Sequence, residues 1–118
     1  MFQVINKSRD VVLATNCEIA DSFFARFCGL MLRKSLCKDN ALLLKPCNSI
    51  HMLFMRFPID VIFLNSESEV IGICHSIKPW RTSSVFWKAK SAIEFPAGLL
   101  VTTKTDVGDL VQLEELQA

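Results

Sequence analysis

Ser49-Ile50-His51-Met52-Leu53-Phe54-Met55-Arg56-Phe57-Pro58-Ile59-Asp60-Val61-Ile62-Phe63-Leu64 is the most apolar and most patterned stretch of the chain. Proline cannot donate to a ladder and is confined to strand starts, edges and bulges, so Pro58 divides the run into two expected strands, Ile50 to Met55 and Ile59 to Leu64. A polar break, Asn65-Ser66-Glu67-Ser68, and a strand-like run from Glu69 to Ile77 make the second of these one arm of the clearest hairpin in the sequence. With Leu64 set opposite Glu69, antiparallel pairing places Ile62 against Ile71, Asp60 against Ile73 and Ile59 against Cys74. One face then carries Ile59, Val61, Phe63, Val70, Gly72 and Cys74 and is expected to be core. The other carries Leu64, Ile62, Ile71 and Ile73, with Asp60 and His75 as diagonal neighbours at its open end.

Outward from this hairpin, Phe2 to Ile5 and Val11 to Ala14 read as an opening antiparallel pair joined by the polar loop 6–10. Asp21 is a good N-cap for a short helix over Ser22 to Cys28, where Phe23, Phe27, Leu30 and Met31 recur at helical spacing and Gly29 ends the turn. Ala41 to Leu44 is a short apolar run suited to a buried strand closed by Pro46. A strand ending near Phe95 follows the mixed loop after Ile77, Pro96 suits the first position of a second short helix, and Leu110 to Leu113 is the closing strand. The fold class is mainly β, α+β by content: an antiparallel or mixed β-sandwich or barrel-like sheet with two short helices.

The chain has 118 residues, 51% of them hydrophobic and 21% charged, and a formal net charge of +1. That composition excludes disorder, fits a single domain and leaves no global electrostatic case for nucleic acid. Met1 to Asn6 lacks a basic region followed by an apolar core, and no apolar run approaches the ~18 residues of a spanning helix, so a cytoplasmic protein without a membrane span is expected. The five cysteines contain no C-x-x-C pair and are odd in number, which predicts thiols in a reducing compartment and no structural zinc.

Arg56 lies just before Pro58, while Lys78 and Arg81 follow Ile77, so the hairpin directs Arg56, Asp60, His75, Lys78 and Arg81 toward one mouth with Trp80 as a wall. Asp60 has two readings. It is either a structural carboxylate satisfied by Arg56 or backbone N–H groups, or part of a cleft in which an Arg fork and an aromatic face bind a small anion.

The runs Gly29-Leu30-Met31-Leu32-Arg33 and His51 to Phe63, followed by Ile77-Lys78-Pro79-Trp80-Arg81, Glu94-Phe95-Pro96-Ala97-Gly98 and Val107-Gly108-Asp109, resemble domain-of-unknown-function family 192 (DUF192) from about Ala20 onward. The resemblance implies a small, mainly β domain found in cytoplasmic proteins and, in members with signal peptides, exported ones. It implies no reaction, cofactor or ligand. The family's characteristic positions fall on Gly29, Leu30, Met31, Arg33, Met55, Pro58, Asp60, Glu94, Gly98 and the Gly108-Asp109 turn; Arg33, Asp60 and Glu94 are charges beside apolar runs and need partners. Two departures stand out. Many members carry a glycine where this chain has Ser68, and the segment after Gly98 is rich in β-branched residues.

No catalytic motif is recognisable. Cys74 and His75 are consecutive and point to opposite faces of a strand, while Cys47 and His51 meet across an unspecified junction. A metal site would need a third ligand beside Asp60 and His75, with His51 the remaining candidate. The expectation is a non-catalytic domain without cofactor or metal, whose candidate ligand-binding residues are Arg33, Arg56, Asp60, His75, Lys78, Trp80, Arg81 and Glu94. The alternative is a protein-interaction module, binding a partner or a second copy in a weak homodimer through Phe54, Phe57, Trp80, Phe86 and Trp87. Residues 78–90 interleave cations and aromatics without an acid, a pattern that also suits nucleic acid or an anionic membrane surface. The acidic C-terminal stretch balances that charge, and no nucleic acid is expected.

Overall fold

Short β-branched and aliphatic runs become seven strands in the computed structural model, which describes residues 2–22, 30 and 33–115. They are β1 (Phe2–Asn6), β2 (Val11–Ala20), β3 (Asn40–Leu44), β4 (Ile59–Leu64), β5 (Val70–Ile77), β6 (Ser91–Pro96) and β7 (Val111–Glu115), with one described helix, α1 (Leu99–Thr102). They form one sheet in the order β5-β4-β6-β3-β2-β1-β7. Every neighbouring pair is antiparallel except β2 and β3, whose parallel pairing needs the long crossover between Ala20 and Asn40. The helix expected over Ser22 to Cys28 lies largely outside the described residues.

The sheet curls until its two edges meet at one point, giving a half-barrel. Glu69, just before β5, bridges Leu110, just before β7. Val70 N–H donates to the Asp109 carbonyl (2.9 Å), and Gly108 N–H donates to that of Val70 (2.8 Å).

Each face of the sheet has its own core. The concave side buries Val4, Leu13, Ile62, Ile93, Phe95 and Val111 together with Leu100 of α1. The convex side buries Leu42, Leu44, Ile59, Val61, Phe63 and Ala92 beneath Leu30, Ile50, Met52 and Met55. Both faces of β3 and β4 are thus covered, which is why these strands read as near-continuous apolar runs, interrupted in β4 by Asp60, rather than alternating ones.

Residues 50–55 are not the expected sheet strand. They run beside residues 80–86 in an irregular ribbon: Met52 N–H donates to Arg81 O (2.7 Å), Trp80 N–H to Met52 O (2.7 Å) and Ser83 N–H to Ile50 O (2.8 Å). The chain then turns at Phe54, which has φ 61°. The apolar pattern is genuine, because Ile50, Met52 and Met55 are buried. It reflects a layer laid over the convex face rather than a strand within the sheet.

The hairpin register also differs by two residues from expectation. Val61 faces Cys74, Ile62 faces Ile73 and Phe63 faces Gly72, with irregularities at both ends that set Leu64 against Val70 and Ile59 against Ile77. The loop is longer than the four polar residues suggest, because Asn65 Oδ1 accepts from Glu67 N–H (2.9 Å) and Glu69 N–H (3.0 Å) and draws Glu69 into the turn. Ser68 there has φ 63°, a conformation glycine adopts at least cost. Val70 consequently joins the concave core with Leu64.

Two boundaries shift as well: β2 continues to Ala20, and β6 includes Pro96, so α1 begins after Gly98. No helix among the described residues is long and apolar enough to cross a membrane.

Candidate functional site

Asp60 is fully buried on β4 and works through backbone donors. Its Oδ1 accepts from Ser76 N–H (2.8 Å), and its Oδ2 accepts from Gly98 N–H (3.0 Å) and Leu100 N–H (3.0 Å). One carboxylate thereby fixes the bend of β5 at Ser76 (φ 48°), the turn at Gly98 (φ 92°) and the start of α1. Of the two readings of Asp60, this is the structural one: both oxygens are occupied by main chain.

His75, beside Ser76, is exposed and lines an open cleft of about 400 Å³ with Arg9, Leu100, Val101, Lys104, Thr105 and Asp106. A buried network supports this cleft. Asn6 Nδ2 donates to Thr105 Oγ1 (3.1 Å) and Asp109 Oδ2 (2.9 Å), and Arg9 Nε donates to the same Asp109 oxygen (3.1 Å). Burial works to raise the Asp109 carboxyl, but hydrogen bonds from Asn6, Asp106 N–H and Arg9, with the charge of Arg9, outweigh it and hold it below the ordinary value.

The other expected residues lie elsewhere. Lys78, Trp80 and Arg81 are exposed on one loop, and Arg56 is exposed on the neighbouring one. Trp80 meets Phe54 edge-on at 5.0 Å rather than walling a pocket over Asp60. Arg33 is exposed and pairs with Glu18 (3.3 Å). Glu94 is 4% exposed on the convex face of β6, between Leu42 and Val61. Burial pushes its carboxyl up to about 8, and the charge of Arg33 pulls in the opposite direction. The single mouth inferred from the hairpin is therefore not assembled: Asp60 adjoins His75, Glu94 feels Arg33, and the remaining four lie on the ribbon and its loops.

Among the described residues no three His, Cys, Asp or Glu side chains converge as a metal site. Cys17, Cys37, Cys47 and Cys74 form no disulfide. Burial pushes the Cys17 thiol up to about 11 and also raises Cys74, the reverse of what an activated nucleophile needs.

A second cavity, of about 460 Å³, opens at the opposite end of the half-barrel. Its floor consists of concave-face residues: Ile19, Leu43, Leu64, Ser91, Val111 and Leu113. Along β6 the concave positions run Ser91, Ile93, Phe95, so the side chains shrink toward this mouth. At the far end Leu100 of α1 fills the interior. The rim carries Lys45, one residue past β3, Lys90, one residue before β6, and Asp21, Asn65, Ser66 and Ser68. Sequence reasoning missed this site. The available signal was two lysines placed immediately beside buried strands, with a serine at the first position of one of them.

The model of the DUF192 family, described as an uncharacterized ACR, matches residues 4–113. The chain belongs to the DUF192 family. Among curated relatives, the UPF0127 protein PYRAB11210 of Pyrococcus abyssi is 39% identical over 115 residues, covering 92% of this chain and 95% of its own. A crystal structure of a protein of unknown function from Novosphingobium aromaticivorans superposes with TM-score 0.81 at 21% identity, over 94% of this chain and 82% of that one. A candidate transcription regulator from Sinorhizobium meliloti gives 0.78 at 20% identity, over 94% and 90%. At those identities the likeness is one of fold.

Within this DUF192 domain several of the motif residues have main-chain work. Gly98 takes its positive φ where its N–H meets Asp60, and Gly108 (φ 95°) precedes the Asp109 that anchors the network beneath the His75 cleft.

Proposed function

We propose that this DUF192 domain is a non-catalytic binding module that takes a small amphipathic anion in the open end of its half-barrel. The observation that carries the reading is the 460 Å³ cavity, whose apolar floor of Leu43, Leu64, Val111 and Leu113 is rimmed by two cations, Lys45 and Lys90, against one carboxylate, Asp21, together with three hydroxyl or amide groups, Asn65, Ser66 and Ser68. Its volume lies within the range of small-molecule sites, and an apolar body with a few converging polar groups is their usual chemistry. The anion-recognising cleft inferred from the sequence is kept in kind and moved to the other end of the sheet. The His75 cleft supports the reading less, because it is the shallower and its Arg9 already pairs with Asp109 (3.1 Å).

Titration with medium-chain carboxylates, followed by calorimetry, tests the assignment. Ser91→Phe fills the floor and Lys90→Ala removes a rim cation; both are expected to abolish or weaken binding while the fold persists. Undiminished binding by Ser91→Phe would place the ligand elsewhere. A second reading, an interaction surface, is favoured by the exposure of Trp87 (82%), Trp80 (59%) and Phe54 (49%). Phe57 and Phe86, by contrast, pack on the convex core.

A further inference from the structure

The ribbon over the convex face has two unlike sides. Ile50 and Met52 point into the core, while Leu53, Phe54, Trp80 and Val85 are exposed, and Trp87 at its end is the most exposed large apolar side chain described. The strands of this ribbon are tied together along their length by the His51–Thr82 bridge and by Phe86 N–H donating to Asn48 O (2.8 Å). Interleaved with the apolar groups are Arg56, Lys78, Arg81 and Lys88, all exposed. Residues 48–58 and 76–88 contain none of the chain's 12 acids. No ion pair among the described residues engages these four cations, whereas Lys7, Arg9 and Arg33 are each paired with an acid. A chain of net charge +1 has therefore collected unpaired positive charge on its most apolar exposed surface.

We infer that this ribbon docks the domain onto an anionic lipid surface, with Leu53, Phe54, Trp80 and Trp87 at the headgroup boundary and Arg56, Lys78, Arg81 and Lys88 against lipid phosphates. Indole rings favour that boundary because they offer an apolar body and a polar N–H. Binding there scales with buried apolar area plus attraction to anionic headgroups, and this surface supplies both. Single-stranded nucleic acid fits less well. The Phe54 and Trp80 planes meet at 61°, so the rings pack against each other instead of presenting a flat stacking platform. The aliphatic Leu53 and Val85 have no use in base stacking. The inference rests on residues separate from the half-barrel cavity, so either can fail alone.

The chain has two tryptophans and no tyrosine, so its indole emission reports on this surface directly. Vesicles of equimolar phosphatidylglycerol and phosphatidylcholine are expected to shift that emission to the blue at low salt. Pure phosphatidylcholine should not, and about 1 M salt, with a Debye length of about 3 Å, should reverse the shift. Reversing Lys78, Arg81 and Lys88 to Glu together should weaken vesicle binding by about a hundredfold or more, taking roughly fivefold per lost basic residue. If that variant fails to fold, Arg81→Ser and Lys88→Ser carry the comparison singly by vesicle sedimentation, each with a severalfold loss. The inference is overturned by no shift on anionic vesicles at low salt, by an equal shift on neutral ones, by charge variants that bind as the parent does, or by binding to a single-stranded oligonucleotide with none to vesicles.

Discussion

Asp60 and Leu100 stand 40 residues apart in the chain and are joined by a 3.0 Å hydrogen bond from the Leu100 N–H to Asp60 Oδ2. Through that bond and its companions from Ser76 and Gly98, β4 fixes the helix whose Leu100 closes one end of the concave core. A buried carboxylate with three main-chain donors is a structural keystone, because it ties three separate segments together and satisfies the Leu100 N–H, which would otherwise be left without a partner away from water.

Replacing Asp60 by Asn is expected to destabilise the domain by about 1–3 kcal/mol, since the amide nitrogen cannot accept and at least one of the three N–H groups loses its partner. Asp60→Ala leaves all three unpaired and should be worse. Urea unfolding followed by far-UV circular dichroism measures both. A midpoint unchanged in Asp60→Asn would show that the three donors find other acceptors.

How far the sequence reaches is visible at this same residue. The largely apolar runs of β3, β4 and β6 and the hairpin after Leu64 are legible because burial on both faces leaves mostly hydrophobic segments, with Asp60 in β4 and Ser91 and Glu94 in β6 as polar interruptions. The partners of Asp60 are not legible. They are main-chain groups at positions 76, 98 and 100, brought close by the turn at Gly98, and no side-chain pattern records them. Ile50 and Met52 alternate as a strand would, and periodicity cannot distinguish a strand in a sheet from a ribbon laid across one. The cavity at Ser91 was hidden for a similar reason: an empty volume depends on which strands adjoin, here Leu64 beside Ser91, and sheet order is set by long-range pairing.

Glu94 gives the domain a pH dependence between about pH 4.5 and about pH 8. Its folded carboxyl is raised to about 8 from 4.5, so the folded state holds a proton that the unfolded state has already released. Stability is therefore expected to fall as pH rises from about 4.5 through about 8, by roughly 1.4 kcal/mol per unit at most, and then to level off. Glu94→Gln should flatten this limb and be the more stable protein at pH 9. Arg33→Ala removes a charge that pulls the carboxyl down, and should move the end of the limb upward. Equal slopes for Glu94→Gln and the parent between pH 5 and 8 would contradict the assignment.

Gly72 is required by packing. A Cβ at this position would overlap the edge of the Phe86 ring, and that ring lies 4.5 Å from the ring of the fully buried Phe63. Gly72→Ala must displace Phe86 from the convex core, at a cost of about 1–3 kcal/mol. Pairing it with Phe86→Leu, which withdraws the ring, should recover part of the loss. A double-mutant cycle without coupling would mean that the ring moves aside freely.

Asp109 acts with the opposite sign on the acid side. Its carboxyl is held below the ordinary value, so its contribution is fully present above the unfolded-state pKa and is lost as pH falls through the folded one. The ion pair with Arg9 is a minor part of that contribution, because the Arg9 side chain is 42% exposed and solvent screens it. The larger part comes from the buried bond from Asn6 Nδ2 (2.9 Å), which ties the turn before β7 to the end of β1, and from the Asp106 N–H (2.9 Å) within that turn. Asp109→Ala is accordingly expected to cost about 2 kcal/mol at pH 7, and Arg9→Ala less than 1 kcal/mol. Guanidinium melts at pH 7 and in the acid range below pH 4 distinguish the two: the difference between Asp109→Ala and the parent should narrow as pH falls, and a difference that stays constant would assign the loss to packing rather than to the carboxylate.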